Sequence, residues 1–505
     1  MRLVQRKAGV LLTYVSEVIK ILTTLLYTPL MLKLLGKPEF GLYQTVSSTV
    51  AYLSLLSLGF GSAYVRYHSQ YKVKDDEAGI ARLNGMFMLI FSAMSVLCLI
   101  CGGVMIANAR AILGDKLTDG ELTRAKLMMA VLIVSMAITF PNSVFNCFVT
   151  AQEKFVFQKA LIVVQNLLNP CLTLPLLLLG YGSVAVVAVS AALTAVVFVA
   201  NLIFCLKKLR MRFVFRGMEF SLLKEMGAFT FFIFLNQILD QVNWAVDKLL
   251  LTRMIGTAIV TTYSLGAQIN SLYVQMSTAV SSVFIPKVNQ IVAGSNDRGQ
   301  LTDLMTRVGR IQFIILGLVL VGFTFLGKPF VDLWADKGNG DAYYVALLLM
   351  FPVTISLVQN LGIEIQRAMN MHRARSVVYT CLAVGNVLIS ILLIPKWGCI
   401  GAAAGTSVSL VVGNGFFMNW YYHRKMKLNM LRFWKEIAKL LPPMAVTALV
   451  GFGYTYFVHV DGWVMLAVSA ALVTAVYGIC MWLFGLNTYE KQLAKKMLRK
   501  LPGVK

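Results

Sequence analysis

Residues Leu30-Met-Leu-Lys-Leu-Leu-Gly36 and Leu250-Leu-Thr-Arg-Met-Ile-Gly256 read as two copies of one pattern. In each, an apolar run carries one cation, Lys33 or Arg253, and closes on a glycine. A tyrosine follows each glycine at the same spacing, Tyr43 after Gly36 and Tyr263 after Gly256. At this offset of about 220 residues Asn166 falls on Asn386. Near Gly182 and Gly398 the offset slips to about 216, and small-residue runs follow both. One such match is unremarkable. Several in register predict a duplicated chain.

The flanks of both copies are apolar at a length that decides their environment. The chain has 505 residues, 58% hydrophobic and 13% charged, and a mean hydropathy of +0.74. Soluble domains hold about 45–50% apolar and about 25% charged residues, so a soluble fold is excluded. About 20 apolar residues cross the hydrocarbon of a bilayer. Stretches of that length recur at roughly 9–32, 41–65, 83–107, 127–150, 158–180, 184–206, 227–252, 258–285, 308–331, 342–366, 375–395, 399–422, 437–458 and 462–485. In lipid the backbone must satisfy its own hydrogen bonds, which predicts helices. The stretches lack the period-two alternation of a membrane barrel.

The expected fold class is an all-α polytopic membrane protein of about fourteen transmembrane helices. Two six-helix repeats are followed by two further helices. Six is even, so the repeats are parallel, related by an axis along the membrane normal. The expected division is 1–211 for the first lobe, 212–428 for the second, and 429–505 for the last two helices and a basic tail.

Cations gather in alternate loops. Lys207, Lys208, Arg210, Arg212, Arg216 and Lys224 follow the sixth stretch; Arg424, Lys425, Lys427, Arg432, Lys435 and Lys439 follow the twelfth; Lys491, Lys495, Lys496, Arg499, Lys500 and Lys505 end the chain. Basic loops face the cytoplasm, so both termini are expected there. The first apolar stretch is too long for a signal h-region and carries Glu17 and Lys20, so no cleaved signal is expected. The net charge of +24 is then matched by anionic lipid headgroups, and nucleic acid is not an expected partner.

Polar residues at membrane depth point to function, because charge there is costly and faces an interior or a water-filled cavity. Thr13, Glu17, Lys20 and Thr24 share one face of the first helix, and Asn236, Asp240, Asn243 and Asp247 share one face of the seventh. First helices of two parallel repeats meet at the symmetry axis, which predicts a hydrophilic cavity lined by these faces. Gln268 and Gln275 extend it on the eighth helix, and Asn360, Glu364 and Arg367 on the tenth. Taken singly, each residue also fits a role as interhelical glue. Arg66, Arg253 and Arg367 lie near helix ends, where snorkelling to headgroups is the default. Phe140-Pro141 and Phe351-Pro352 occupy similar places in the two halves and can kink their helices.

No P-loop and no nucleophile motif occurs. The histidines at 68, 372, 423 and 459 form no metal-ligand spacing. The eight cysteines sit in apolar stretches, and Cys98-x-x-Cys101 reads as small hydrophobes. No metal, cofactor or catalytic residue is therefore expected. The longest outside loop, roughly 108–126, is too short to house a membrane polymerase.

Three stretches resemble the polysaccharide-export and O-antigen flippase family (Wzx-type) of the multidrug/oligosaccharidyl-lipid/polysaccharide exporter superfamily. They are Leu34-Leu-Gly-Lys-Pro-Glu-Phe-Gly-Leu-Tyr43, Asp247-Lys-Leu-Leu-Leu-Thr-Arg-Met-Ile-Gly256 with Tyr263-Ser-Leu-Gly-Ala-Gln268, and Ala368-Met-Asn-Met-His-Arg-Ala-Arg375. The resemblance implies two lobes in a V around a central cavity, with alternating access. It implies a transporter and not an enzyme, moving an undecaprenyl-diphosphate-linked oligosaccharide from the cytoplasmic to the periplasmic leaflet of a bacterial inner membrane. A polysaccharide polymerase and a chain-length regulator would be its partners. The anionic diphosphate needs cations in a wet cavity; Lys20 is the leading candidate, followed by Lys248, Arg253 and Arg66. Glu17 lies beside Lys20. Asn236, Asn243, Gln268 and Tyr263 would hold sugar, and Asp240, Asp247 or Glu364 would couple H⁺ or Na⁺. The alternatives are a drug antiporter of the same superfamily, a lipid II flippase, for which the dense arginine set is missing, and a membrane glycosyl-polymerase.

Overall fold

The computed structural model describes residues 2–57, 59–217, 234, 237, 238, 241, 245–295, 297–369, 371 and 373–498. Among these residues every regular element is helical. The chain divides into two compact units, Met1–Thr261 and Thr262–Lys505.

The first unit opens with α1 (Arg2–Leu35), which stops at Gly36, φ +75°. Only glycine takes that backbone freely, and Pro38 then starts α2 (Lys37–Ala51) at the position where its missing N–H is harmless. The stretch 41–65, read as one crossing, is broken. Tyr52–Ser57 tightens into a 3-10 turn, and Gly59 at φ +72° sets off α3 (Phe60–Val73). Asp76 caps α4 (Glu77–Ala107) by accepting from the Gly79 amide at 2.7 Å. The short α5 (Ala109–Leu113) leads to α6 (Asp119–Ala151), which Thr118 and Glu121 start with a capping box. There follow α7 (Phe155–Leu178), α8 (Gly182–Ile203) and, after the linker, α9 (245–254).

Leu42, Val46, Tyr64, Phe87, Phe91, Met128 and Phe145 form the buried core of this unit. Tyr64 meets Phe87 edge-on with ring centroids 5.1 Å apart. Lipid is as apolar as leucine, so specific polar contacts hold helices in register. Asn201 donates to Asn142 at 2.9 Å and Asn146 at 3.1 Å, joining α8 to α6, and Asn169 donates to Ser190 at 2.9 Å, joining α7 to α8.

The second unit takes up α10 (Thr257–Ser282) from its sixth residue and continues through α11 (Ile285–Ala293), α12 (Arg298–Trp334), α13 (Asp341–Val358), α14 (Asn360–Ala368) and α15 (Arg373–Leu410). Within α15, Gly398 has φ +56° and ψ −130°, and the chain folds back on itself there. A Cβ on Gly401 would fall 2.5 Å from the Leu393 carbonyl, and one on Gly405 would fall 2.4 Å from Ser390 Oγ. The two legs touch through these small residues. A π turn at Val411–Phe417 leads to α16 (Met418–Arg424), α17 (Met430–Ala438), α18 (Leu441–Phe457), α19 (Trp463–Cys480) and α20 (Thr488–Leu498).

Arg310 of α12 is 3% exposed, and its guanidinium grips the Glu490 carboxylate of α20 in a two-point pair, at 2.6 and 2.8 Å. It also donates to the carbonyls of Glu436 at 2.6 Å and Gly485 at 2.9 Å. A buried ion pair is tolerable only when its remaining donors are filled in this way.

Ten helices among the described residues are long and apolar enough to cross a membrane. The chain is a multi-pass membrane protein. The difference from about fourteen stretches has identifiable sources. Residues 41–65 are split, 227–252 lies largely outside the described residues, and 375–422 forms one span folded at Gly398. The stretch 258–285 is helical as α10, but Thr261, Thr262, Gln268, Asn270 and Gln275 dilute its apolarity.

Candidate functional site

The polar residues expected at membrane depth fall into three groups. Asn236, Asp240 and Asn243 lie outside the described residues. Glu17, Lys20, Arg66, Asp247, Lys248 and Arg253 belong to the first unit, and Tyr263, Gln268 and Glu364 to the second.

On α1 the exposed apolar residues Val15, Val18, Leu22, Leu26 and Leu30 recur every three or four positions and form one stripe. Lys20 is also exposed, yet at 100° per residue it points away from that stripe. Glu17 is half-buried, and no ion pair joins it to Lys20 among the described residues. Arg66 is exposed on α3 and Arg253 at the end of α9. The Arg253 stem covers Gly114, where a Cβ would come within 2.8 Å of its Cγ.

The seam between α2 and α9 is polar from one rung to the next. Lys248 is half-buried, and its ammonium donates to Gln44 Oε1 at 3.1 Å. One turn on, the hydroxyls of Thr45 and Thr252 share a hydrogen bond at 2.6 Å, and both residues are fully buried. Thr45 also donates to the Gly41 carbonyl at 2.9 Å and Thr252 to that of Lys248 at 2.9 Å. Gly41 itself lies against the start of α10: a Cβ there would sit 1.9 Å from the Thr257 carbonyl oxygen. Thr261 closes the seam by donating to the Lys37 carbonyl at 2.6 Å. Asp247 is 1% exposed.

Sequence reasoning singled out Lys248 and Asp247 and passed over Gln44 and Thr45. Neutral side chains in an apolar run give no charge signal. The one available sign was that Gln44 directly follows the repeat-marking Tyr43.

In the second unit Tyr263 is 1% exposed and Gln268 half-buried on α10. Glu364 pairs with Arg367 at 2.9 Å on α14. Tyr273 bonds Thr354 at 2.7 Å, Gln312 donates to Ser277 Oγ at 2.9 Å, and Asn360 donates to Ser281 at 2.9 Å. The last three of these contacts join α10 to α13, α12 and α14. No group of three or more His, Cys, Asp or Glu among the described residues could hold a metal ion.

Membrane-length helices carry buried amides and hydroxyls, with Lys248 tethered to an amide. Residues 7–292 match the polysaccharide biosynthesis protein family, and the chain belongs to that family. A relative in Haloferax volcanii, named "Probable flippase AglR", is 21% identical over 174 residues, which cover 34% of this chain and only 36% of that protein. Among solved structures, the lipid II flippase MurJ in its inward closed conformation has a TM-score of 0.74 at 14% identity, over 96% of this chain and 99% of that one. An inward-facing multidrug resistance MATE family transporter of the MOP superfamily has a TM-score of 0.60 at 15% identity, over 79% of this chain and 97% of that one. The chain therefore has the fold of these transporters.

Proposed function

We propose that this protein is a flippase, a transporter and not an enzyme. It turns an undecaprenyl-diphosphate-linked oligosaccharide from the cytoplasmic to the periplasmic leaflet of a bacterial inner membrane, with both termini cytoplasmic. The observation that carries this reading is Lys248. Among the described residues no carboxylate lies within ion-pair distance of its ammonium, and its one partner is the neutral Gln44. A cation placed in an apolar setting without a counter-charge attracts an anion, and a diphosphate supplies one with several acceptor oxygens. The exposed Lys20 supports the same polarity on α1. The family membership and the relative named as a flippase support the substrate class.

A proton or Na⁺ gradient would drive the cycle, with the buried Asp247 as the proposed coupling group. Glu364 is the weaker choice because Arg367 already holds it.

The test is translocation in sealed proteoliposomes. A short undecaprenyl-diphosphate oligosaccharide is followed by its exposure to an outside lectin, with and without a pH or Na⁺ gradient. Wild type should flip it; Lys248→Gln and Lys20→Ala should flip it at least about tenfold more slowly. Asp247→Asn should lose the dependence on the gradient. Absence of flipping under every gradient, with efflux of a cationic dye instead, would replace this reading with a drug antiporter.

A further inference from the structure

The seam between α2 and α9 contains one contact whose chemistry is unusual for its place. A cation in an apolar environment ordinarily takes a carboxylate partner, because a lone buried charge is expensive. Lys248 takes an amide oxygen instead. An ammonium has three donors and an amide oxygen removes none of its charge. Gln44 therefore fixes the direction of Lys248 without cancelling its positive charge, and among the described residues no other group takes its remaining donors.

The geometry around the pair is rigid. The fully buried Thr45–Thr252 bond lies one residue from Gln44 and four from Lys248. Beyond it, the Gly41 main chain is pressed against Thr257 with no room for a methyl group. Neither helix can slide without breaking these contacts, so Gln44 and Lys248 keep their register.

We infer that Gln44 is a specificity-determining residue of this site: its neutral amide orients the Lys248 ammonium without neutralising it, and so sets a preference for a lipid carrying a diphosphate over the same lipid without one. The inference rests on the diphosphate reading given above. It names the residue that keeps the site cationic. A purely structural Gln44 makes the opposite forecast. If the pair only joined two helices, a carboxylate at position 44 would strengthen it and leave ligand selectivity alone.

The experiment measures binding of two probes to the full chain in lipid nanodiscs: a polyprenyl diphosphate and the polyprenol of equal length. The readout is the ratio of their affinities, together with the melting temperature of each variant. Wild type should prefer the diphosphate. Gln44→Glu should lose about tenfold of that preference, the scale of one charge-assisted hydrogen bond, with polyprenol affinity and melting temperature held. Gln44→Met, which removes the tether and adds no charge, should lose a smaller part. An unchanged ratio in Gln44→Glu overturns the inference; if that variant cannot be purified, an unchanged ratio in Gln44→Met overturns it. Lys248→Gln separates the two levels. An unchanged ratio there removes Lys248 from the anion site and sinks the underlying reading. A lost ratio in Lys248→Gln beside an unchanged one in Gln44→Glu sinks only the role of Gln44. Inorganic pyrophosphate is the third probe: binding as tight as that of the polyprenyl diphosphate would assign the site to a free anion and overturn the lipid selectivity.

Discussion

The Ser407 hydroxyl donates to the main-chain carbonyl of Leu348, four residues before Pro352. A proline has no N–H, so the carbonyl four residues back loses its helical partner. In the first unit the same arrangement recurs: Ser95 on α4 donates at 2.8 Å to the carbonyl of Ala137, four residues before Pro141. At each Phe-Pro site a serine from another helix or leg thus takes the carbonyl that the proline leaves without a helical donor.

Removing either hydroxyl should expose that carbonyl. Ser407→Ala and Ser95→Ala are each expected to destabilise by about 1 kcal/mol. Pro352→Ala restores the N–H, so Ser407→Ala should become nearly neutral in its presence. Thermal unfolding of the four proteins in detergent measures the coupling, and strictly additive losses would contradict this account.

The clamp at Arg310 makes a larger forecast. Arg310→Met alone leaves the buried Glu490 carboxylate with the Asn487 amide but without its counter-charge and should destabilise by about 3–5 kcal/mol. Glu490→Leu alone should do the same. The double variant removes both charges and should recover most of the loss. A double variant as unstable as the sum of the singles would show that the pair is not coupled.

Gly41 and Gly103 form a matched pair of glycine-to-alanine tests. The first has a carbonyl 1.9 Å from its absent Cβ, the second has nothing within 4 Å. Gly41→Ala should destabilise by about 1–3 kcal/mol through overpacking. Gly103→Ala, inside α4, should stabilise by up to about 1 kcal/mol through helix propensity. Equal melting temperatures for the two variants would mean that α2 and α10 do not touch as described.

His68 on α3 gives a pH dependence. It is fully buried between the rings of Tyr64 and Phe148, with centroids 5.9 and 5.6 Å away. Burial, helped by the nearby Lys72 charge, lowers its pKa from 6.5 to about 4. The folded protein resists protonation there, while the unfolded chain binds a proton near pH 6.5. The stabilising share of the neutral ring is therefore complete above pH 6.5 and is lost as pH falls from 6.5 towards 4, by up to roughly 3 kcal/mol. Melting curves at pH 7 and pH 4.5 should show it, and His68→Phe should flatten the difference. A His68→Phe protein with the wild-type slope would assign the acid sensitivity elsewhere.

The helical membrane fold was legible because its signal is local. Twenty apolar residues in a row admit one solution in lipid. Lys248 and Asp247 stand out in the sequence as charges in an apolar run, and the structure places them on α9. The break between α2 and α3 was not, since Tyr52–Ser57 remains apolar and the turn at Gly59 is a matter of backbone conformation. Ser95 and Ser407 are ordinary small residues until the fold brings them to carbonyls 42 and 59 positions away. Gln44 becomes meaningful only through a lysine 204 residues further along. Long-range pairing of uncharged groups leaves no periodicity to read.

The separation of Arg310 and Glu490 is 180 residues. During biosynthesis, at about 5–20 residues per second, the arginine waits roughly 10–40 s for its carboxylate to be made. For that interval the α12 guanidinium has, among the described residues, only the Glu436 carbonyl at 2.6 Å, the Glu436 carboxylate at 3.8 Å and, at its end, the Gly485 carbonyl to hold it. Completion of this unit is thus reported by a late two-point contact, and a chain that ends before Glu490 would present membrane quality control with a guanidinium lacking its main counter-charge.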